Sequence, residues 1–432
     1  MSAHGSASAA STSAADSPAW RSRMIPRSRR LCCSLTRPLT QTRSWLQATE
    51  PCTAPHDTHR KEKIMTGSLR RAPLLVVPLA VSLALAAGCS TKSPSSGGSG
   101  SSGGGGDVSS AKVGFLMPDE ASTRYEQHDR PGFVAEMKKL CSGCKVLYQN
   151  ADADAAKQQQ QFNSVISQGA KAIVMDPVDS TAAASLVKQA QSQGVKVIAY
   201  DRPIPSAKAD YYVSFDNEAI GKAIAASLVD HLKKTKANPA SGGVLEVNGS
   251  PTDAAAGLIK KGIHESLSGS GYKTLAEYDT PDWEPAKAQQ WVSGQVSRFG
   301  GKILGIVAAN DGTAGGAIAA LKAAGTNPVP PVTGNDATTA GLQLIIAGDQ
   351  YNTISKPSEI VAAAAAKVAM GLLKGDKPKA DTTLFGTPTQ LFKPTLVTRA
   401  NIKSAIIDKG IAKASQLCTG RYAAGCKKLG IS

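Results

Sequence analysis

The sequence predicts an α/β protein of two lobes in tandem, each built on a parallel β-sheet. Three observations lead there. From residue 111 onward, short apolar runs alternate with helical stretches, the rhythm of strand–helix–strand units covered on both faces. That rhythm passes five strands and four helices, then begins again near residue 243. The strands end in similar polar turns, at the carboxyl edge where an open parallel sheet presents its ligands. The clearest case is the apolar run 303–309. Asn310, Asp311 and Gly312 form its expected turn, and a helix is expected over 315–324 with Gly325 as its stop. Asn310 carries an amide that both donates and accepts, suited to a ligand or to capping the helix that follows.

The chain has 432 residues, with 49 Lys+Arg against 33 Asp+Glu, formally +16. Twelve of the basic and four of the acidic residues fall in the first 88, leaving 37 against 29, net +8, beyond them. The basic residues are scattered, with no run interleaved with aromatics, so nucleic acid is not an expected partner. Residues 1–64 are rich in Ser, Arg, Thr and Ala, lack apolar periodicity, and read as a disordered or non-native leader. Met65 opens a secretory pattern: basic Arg70 and Arg71, an apolar run over 73–87, then Leu85-Ala86-Ala87-Gly88-Cys89. This matches the bacterial lipoprotein box, which implies a signal peptide over 65–88, a diacylglycerol on Cys89, and anchorage on the outer face of the cell membrane by buried acyl chains. The run is too short to read as a comfortable transmembrane span. Residues 89–110 are Ser/Gly-rich, a tether that cannot build a core.

In order, strands are expected at 112–117, 145–148, 172–175, 195–200 and 211–215, with helices at 129–140, 155–168, 180–193 and 217–234. The second set has strands at 243–247, 274–277, 303–309, 332–334 and 351–355, with helices at 254–267, 285–299, 315–324, 338–347 and 358–374. A last strand and helix over 395–410 return to the second lobe. This gives a first lobe of 111–216 plus 357–390, and a second of 217–356 plus 391–432. Beyond Cys89 four cysteines remain, and in an exported chain the neighbours Cys141 and Cys144, and Cys418 and Cys426, suggest two local disulfides. The Cys141-x-x-Cys144 pair has no second pair at zinc spacing and no His nearby, so no metal or cofactor is expected.

At these residues the chain resembles the type I sugar-binding proteins of bacterial ABC importers, and most closely the D-xylose-binding members. The likeness runs from about residue 111 to about 417. It rests on YDRP at 200–203, YVSFDN at 212–217, GSPTD at 249–253, ANDGTAGG at 309–316, GND at 334–336, SKP at 355–357 and KADTT at 379–383. The resemblance implies two Rossmann-like lobes joined by three hinge crossings and closing on a sugar. It also implies that Arg124, Arg202, Asp253, Asn310, Asp336 and Lys356 form a polar ring, with Tyr125 and Trp283 as stacking aromatics. The chemistry agrees: sugar hydroxyls both donate and accept, Arg and Lys donate, carboxylates accept, and flat aromatics suit the C–H face of a pyranose. Asp216 and Asn217 read instead as hinge and helix-cap residues. One departure stands out. In xylose binders the GSPxD segment is usually followed by two Asn, one touching the sugar; here Ala254 and Ala255 stand there. The pocket wall is smaller and more apolar, which makes another pentose, a hexose or a modified sugar as reasonable as xylose.

The expected partners are therefore a monosaccharide, an ABC importer permease and the membrane through the lipid; the resemblance implies a monomer. A sensor presenting its closed form to a membrane receptor is the alternative. A repressor of the same lobe fold would need a helix-turn-helix where the tether stands. No enzyme is expected, as the chain has no HExxH, no P-loop and no GxSxG at a strand–helix junction.

Overall fold

The computed structural model describes residues 108–431. The leader, the signal segment, Cys89 and the tether up to residue 107 lie outside the described residues.

The first lobe is a sheet covered by helices. Its strands are β1 (Lys112–Met117), β2 (Lys145–Asn150), β3 (Ala170–Met175), β4 (Lys196–Tyr200) and β5 (Tyr211–Phe215). Helices α1 (Arg130–Leu140), α2 (Ala155–Ser167) and α3 (Ala183–Ser192) connect the first four. The runs of buried residues in β1, β3, β4 and β5 are what a parallel sheet packed on both faces requires. One face packs Phe115, Phe133, Val174, Ile198 and Val213, and the other Leu116, Phe162, Ile173, Val197 and Tyr212.

The second lobe begins with α4 (Asn217–Lys234). It holds β6 (Gly243–Asn248), α5 (Ala254–Leu267), β7 (Lys273–Asp279), α6 (Pro285–Phe299), β8 (Ile303–Ala308), α7 (Asp311–Ala323), α8 (Thr339–Ala347) and β9 (Asn352–Ser355). The parallel order is β7-β6-β8. Helix α4 lies so close on α5 that a Cβ on Gly221 would stand 1.9 Å from the Ile259 carbonyl oxygen, and one on Gly262 2.2 Å from that of Glu218. Helix α9 (Ser358–Lys374) then returns to α1 and the first sheet. β10 (Thr382–Leu384) and β11 (Thr387–Phe392) form a hairpin, with β11 parallel to β5, so the first sheet reads β10-β11-β5-β4-β3-β1-β2. Finally β12 (Thr395–Thr398) pairs antiparallel with β9. The chain thus passes between the sheets three times: after β5, after β9 and after β11.

Several sequence expectations need correction. The hairpin β10–β11 was not expected, because its turn is Phe385-Gly386, both at positive φ (50° and 74°), rather than a recognisable Asn-Gly. The strand at 332–334 is reduced to one bridge, Val332 to Ile306, although Ile306, Tyr351 and Asp336 amides still bond across this segment. Helix α7 starts at Asp311 rather than 315, since Asn310 and Thr313 form a reciprocal capping box. Helix α3 starts at Ala183 rather than 180, as the Asp179 side chain takes the Thr181 and Ala182 amides into a turn. The helix expected before Gly410 is a short π-helical turn, Lys403–Ile407. After it come the unpredicted α10 (Ala414–Leu417) and α11 (Ala423–Lys428). Both disulfides form as expected, Cys141 to Cys144 and Cys418 to Cys426.

Candidate functional site

The loops after β1, β4, β6, β8 and β9 meet between the two sheets, with the 335–337 loop and the turn before α6 completing the ring. All eight residues singled out from the sequence converge there. Arg124, Tyr125, Arg202, Asp253, Trp283, Asn310, Asp336 and Lys356 line one gap of about 30 Å³, with Asp201, Asn335, Ala255 and Ile259 among its other walls. Such a gap holds about two waters.

The positions follow from local structure. Arg124 starts a π-helical turn, Tyr125–Asp129, that aims it back over β4. Its Nε and Nη2 grip Asp129 at 3.1 and 2.7 Å, and its Nη1 donates to Asp201 at 2.8 Å. Arg202 follows Asp201, which is held at φ 55°, a left-handed conformation uncommon for a non-glycine residue. That bend turns the guanidinium inward. Its Nη2 donates to Asp119 at 2.6 Å, and its Nε lies 3.2 Å from Asp253 in the opposite lobe and 3.4 Å from Asp176. Asp253 caps α5 through the Ala255 amide at 2.7 Å and accepts from Trp283 Nε1 at 3.0 Å. Trp283, also at positive φ, covers Gly249 so closely that a Cβ there would meet its ring at 2.1 Å. Asn310 Oδ1 accepts from the Thr313 amide at 2.8 Å, while its Nδ2, at the gap, has no partner among the described residues. Asn310 is therefore both cap and cavity wall. Asp336 is not the cap of the next helix; Thr338 is. Asp336 stands at φ 101° and pairs with Lys356 at 3.0 Å. Buried Asp311 holds this loop by accepting from the amide and hydroxyl of Thr338.

The electrostatics are those of a closed ionic network. Burial would raise the Asp201 carboxyl, but Arg124, Lys356 and Arg202 outweigh it and hold it at about 2. Burial pushes Asp176 and Asp253 up, with Arg202 opposing it. Each buried cation at the gap already faces carboxylates, so none is left free for an anionic ligand. The lobes also touch directly: the Ser180 amide donates to the Thr252 carbonyl at 3.0 Å, and the Ala254 amide to Ser180 Oγ at 3.1 Å. Here the cleft is closed.

Asp119, Asp129, Asp176, Asp201 and Asn335 were not singled out from the sequence. Two of them lay inside quoted motifs, Asp201 beside Arg202 and Asn335 beside Asp336. Asn217, read as a hinge or cap residue, donates to Ser214 and also reaches the gap, whereas Asp216 caps α4.

Comparison with known proteins agrees with this architecture. A family model described as a periplasmic binding protein domain matches residues 113–377. The D-xylose-binding periplasmic protein of Escherichia coli (strain K12) is 35% identical over 71% of this chain and 92% of its own length. The multiple sugar-binding periplasmic receptor of Rhizobium radiobacter is 30% identical over 71% and 92%. Among solved structures, an ABC transporter solute-binding protein from Clostridium phytofermentans with bound β-D-glucose superposes with a TM-score of 0.64. It is 28% identical and covers 71% of this chain and 99% of that one.

Proposed function

Since this chain belongs to the periplasmic binding protein family, whose relatives here are binding proteins and not enzymes, we propose that it captures an uncharged monosaccharide between its lobes and hands it to an ABC importer. The observation that carries this reading is the pairing of every buried cation in the gap with a carboxylate. Such a site has donors and acceptors in alternation and carboxylates outnumbering its three paired cations, which suits a polyol and disfavours a sugar phosphate. The ring residues Arg124, Arg202, Asp253, Asn310, Asp336 and Lys356 bond the hydroxyls, and Tyr125 and Trp283 stack on the sugar. Xylose or a related sugar is the ligand, with the wall at Ala255 and Ile259 setting the choice. A pyranose is far larger than the closed gap, so capture runs through parting of the lobes and hinge closure around the ligand. The lipoprotein box at Cys89 supports export and anchorage to the outer face of the membrane, with the protein working as a monomer.

The test is calorimetry and thermal shift of the chain against a panel of monosaccharides and their phosphates, xylose first. A ligand with a Kd of about 1 µM stabilises by about 4 kcal/mol when present at 1,000-fold that concentration. A response to a neutral sugar, abolished by Asn310→Ala, supports the reading. A response to sugar phosphates alone, or to no sugar, overturns it.

A further inference from the structure

Away from the cleft, at the far end of α5, we propose a binding site for a divalent transition-metal ion held by Glu246, His264 and Glu277. Glu246 on β6 and Glu277 on β7 stand directly opposite each other in the parallel register. His264 reaches them from the last turn of α5. One donor atom from each residue lies within 4.8 Å of the other two. His264 Nε2 is 3.0 Å from Glu246 Oε2 and 3.0 Å from Glu277 Oε2.

Like charges directly opposite destabilise a strand pair, and here one of the two is 1% exposed. Local hydrogen bonds do not resolve this. Glu246 Oε1 accepts from Thr274, but its buried Oε2 has no hydrogen bond. The single proton that His264 Nε2 can carry is aligned with Glu277. Lys260, one turn earlier, is 3.4 Å from Glu277 but is engaged by Asp279 at 2.9 and 3.1 Å. A buried carboxylate oxygen without a donor, beside a second carboxylate and an imidazole, is the arrangement a cation relieves. A tetrahedral ion with bonds of 2.0–2.1 Å sets its ligands about 3.3 Å apart, near the two spacings seen here. One imidazole and two carboxylates suit zinc and its neighbours in the series. His264 and Glu277 are 47% and 46% exposed, so the outer side is open to the ion and its water ligands.

The experiment uses the full chain stripped with a chelator, titrated with Zn²⁺ in a calorimeter and melted with and without it. His264→Ala and Glu277→Gln, at half-exposed positions whose replacement leaves the core intact, are treated alike. The wild type should take up one more equivalent than either variant, and Zn²⁺ should raise its melting temperature but not theirs. Superimposable isotherms, or a Zn²⁺-dependent rise that persists in His264→Ala, would place any bound zinc elsewhere and overturn the proposal.

Discussion

Asn310 shows how one side chain serves two ends. Its oxygen caps α7 and its Nδ2 faces the gap, so Asn310→Ala should cost about 1 kcal/mol of stability as well as sugar binding. Asn310→Asp separates the two: the cap acceptor is retained while the donor is lost, so the melting temperature should stay near wild type and calorimetric sugar binding should disappear. Asp201 makes a pH-dependent contribution. Its folded carboxyl lies at about 2, below the unfolded value of about 3.9, so its stabilisation is present above pH 4 and lost as pH falls through 2. Asp201→Asn should lower stability at pH 7 by about 2 kcal/mol and remove that part of the loss between pH 4 and 2. Denaturant titrations at each pH check this. Arg202, Asp253, Asn310, Asp336 and Lys356 were legible because each sits inside a recognisable motif, whereas Arg124, which lies in none of them, rested on the family resemblance alone. Asp201 and Asp119 were not, because a carboxylate near an arginine reads equally well as a solvated surface pair; only the fold shows them buried.

At the scale of elements, helix packing and local cross-links carry the testable claims. Gly221 and Gly262 let α4 and α5 meet backbone to backbone. A methyl at Gly221 has nowhere to go, so Gly221→Ala should destabilise by about 1–3 kcal/mol, read as a lower denaturant midpoint at unchanged m. Cys418 and Cys426 close a short loop across the terminal helices, whose Leu417 and Cys426 pack with Ile346 and Ile406 of the second lobe. Replacing both cysteines by Ser should lower stability by about 2 kcal/mol on the loop-entropy estimate. The strands and helices buried on both faces were readable from apolar runs and stop signals. The β10–β11 hairpin was not, because Phe385 at positive φ carries none of the usual turn chemistry. Nor was the early start of α7, because the capping box becomes distinct only once Thr313 is seen reaching back to Asn310.

For the whole molecule, the repeated strand–helix rhythm sufficed to predict two parallel-sheet lobes, and the three crossings between them are visible in the sheet order. The sequence could not disclose that the lobes would already be in contact. Arg202 reaches across to Asp253, and the Ser180 loop bonds the Thr252 and Ala254 backbone. This bridge has a kinetic consequence. In the proposed capture of a sugar by Arg202, the protein's own carboxylate already occupies that guanidinium and acts as an internal competitor. Association is then gated by the rate at which the bridge breaks, on the microsecond-to-millisecond scale of hinge motions. Stopped-flow traces of the tryptophan fluorescence, with Trp283→Phe identifying the part that Trp283 contributes, should give an observed rate that levels off as sugar is raised. The plateau should move upward in Ser180→Ala, where a restraint on opening is gone but no proposed sugar contact has been touched.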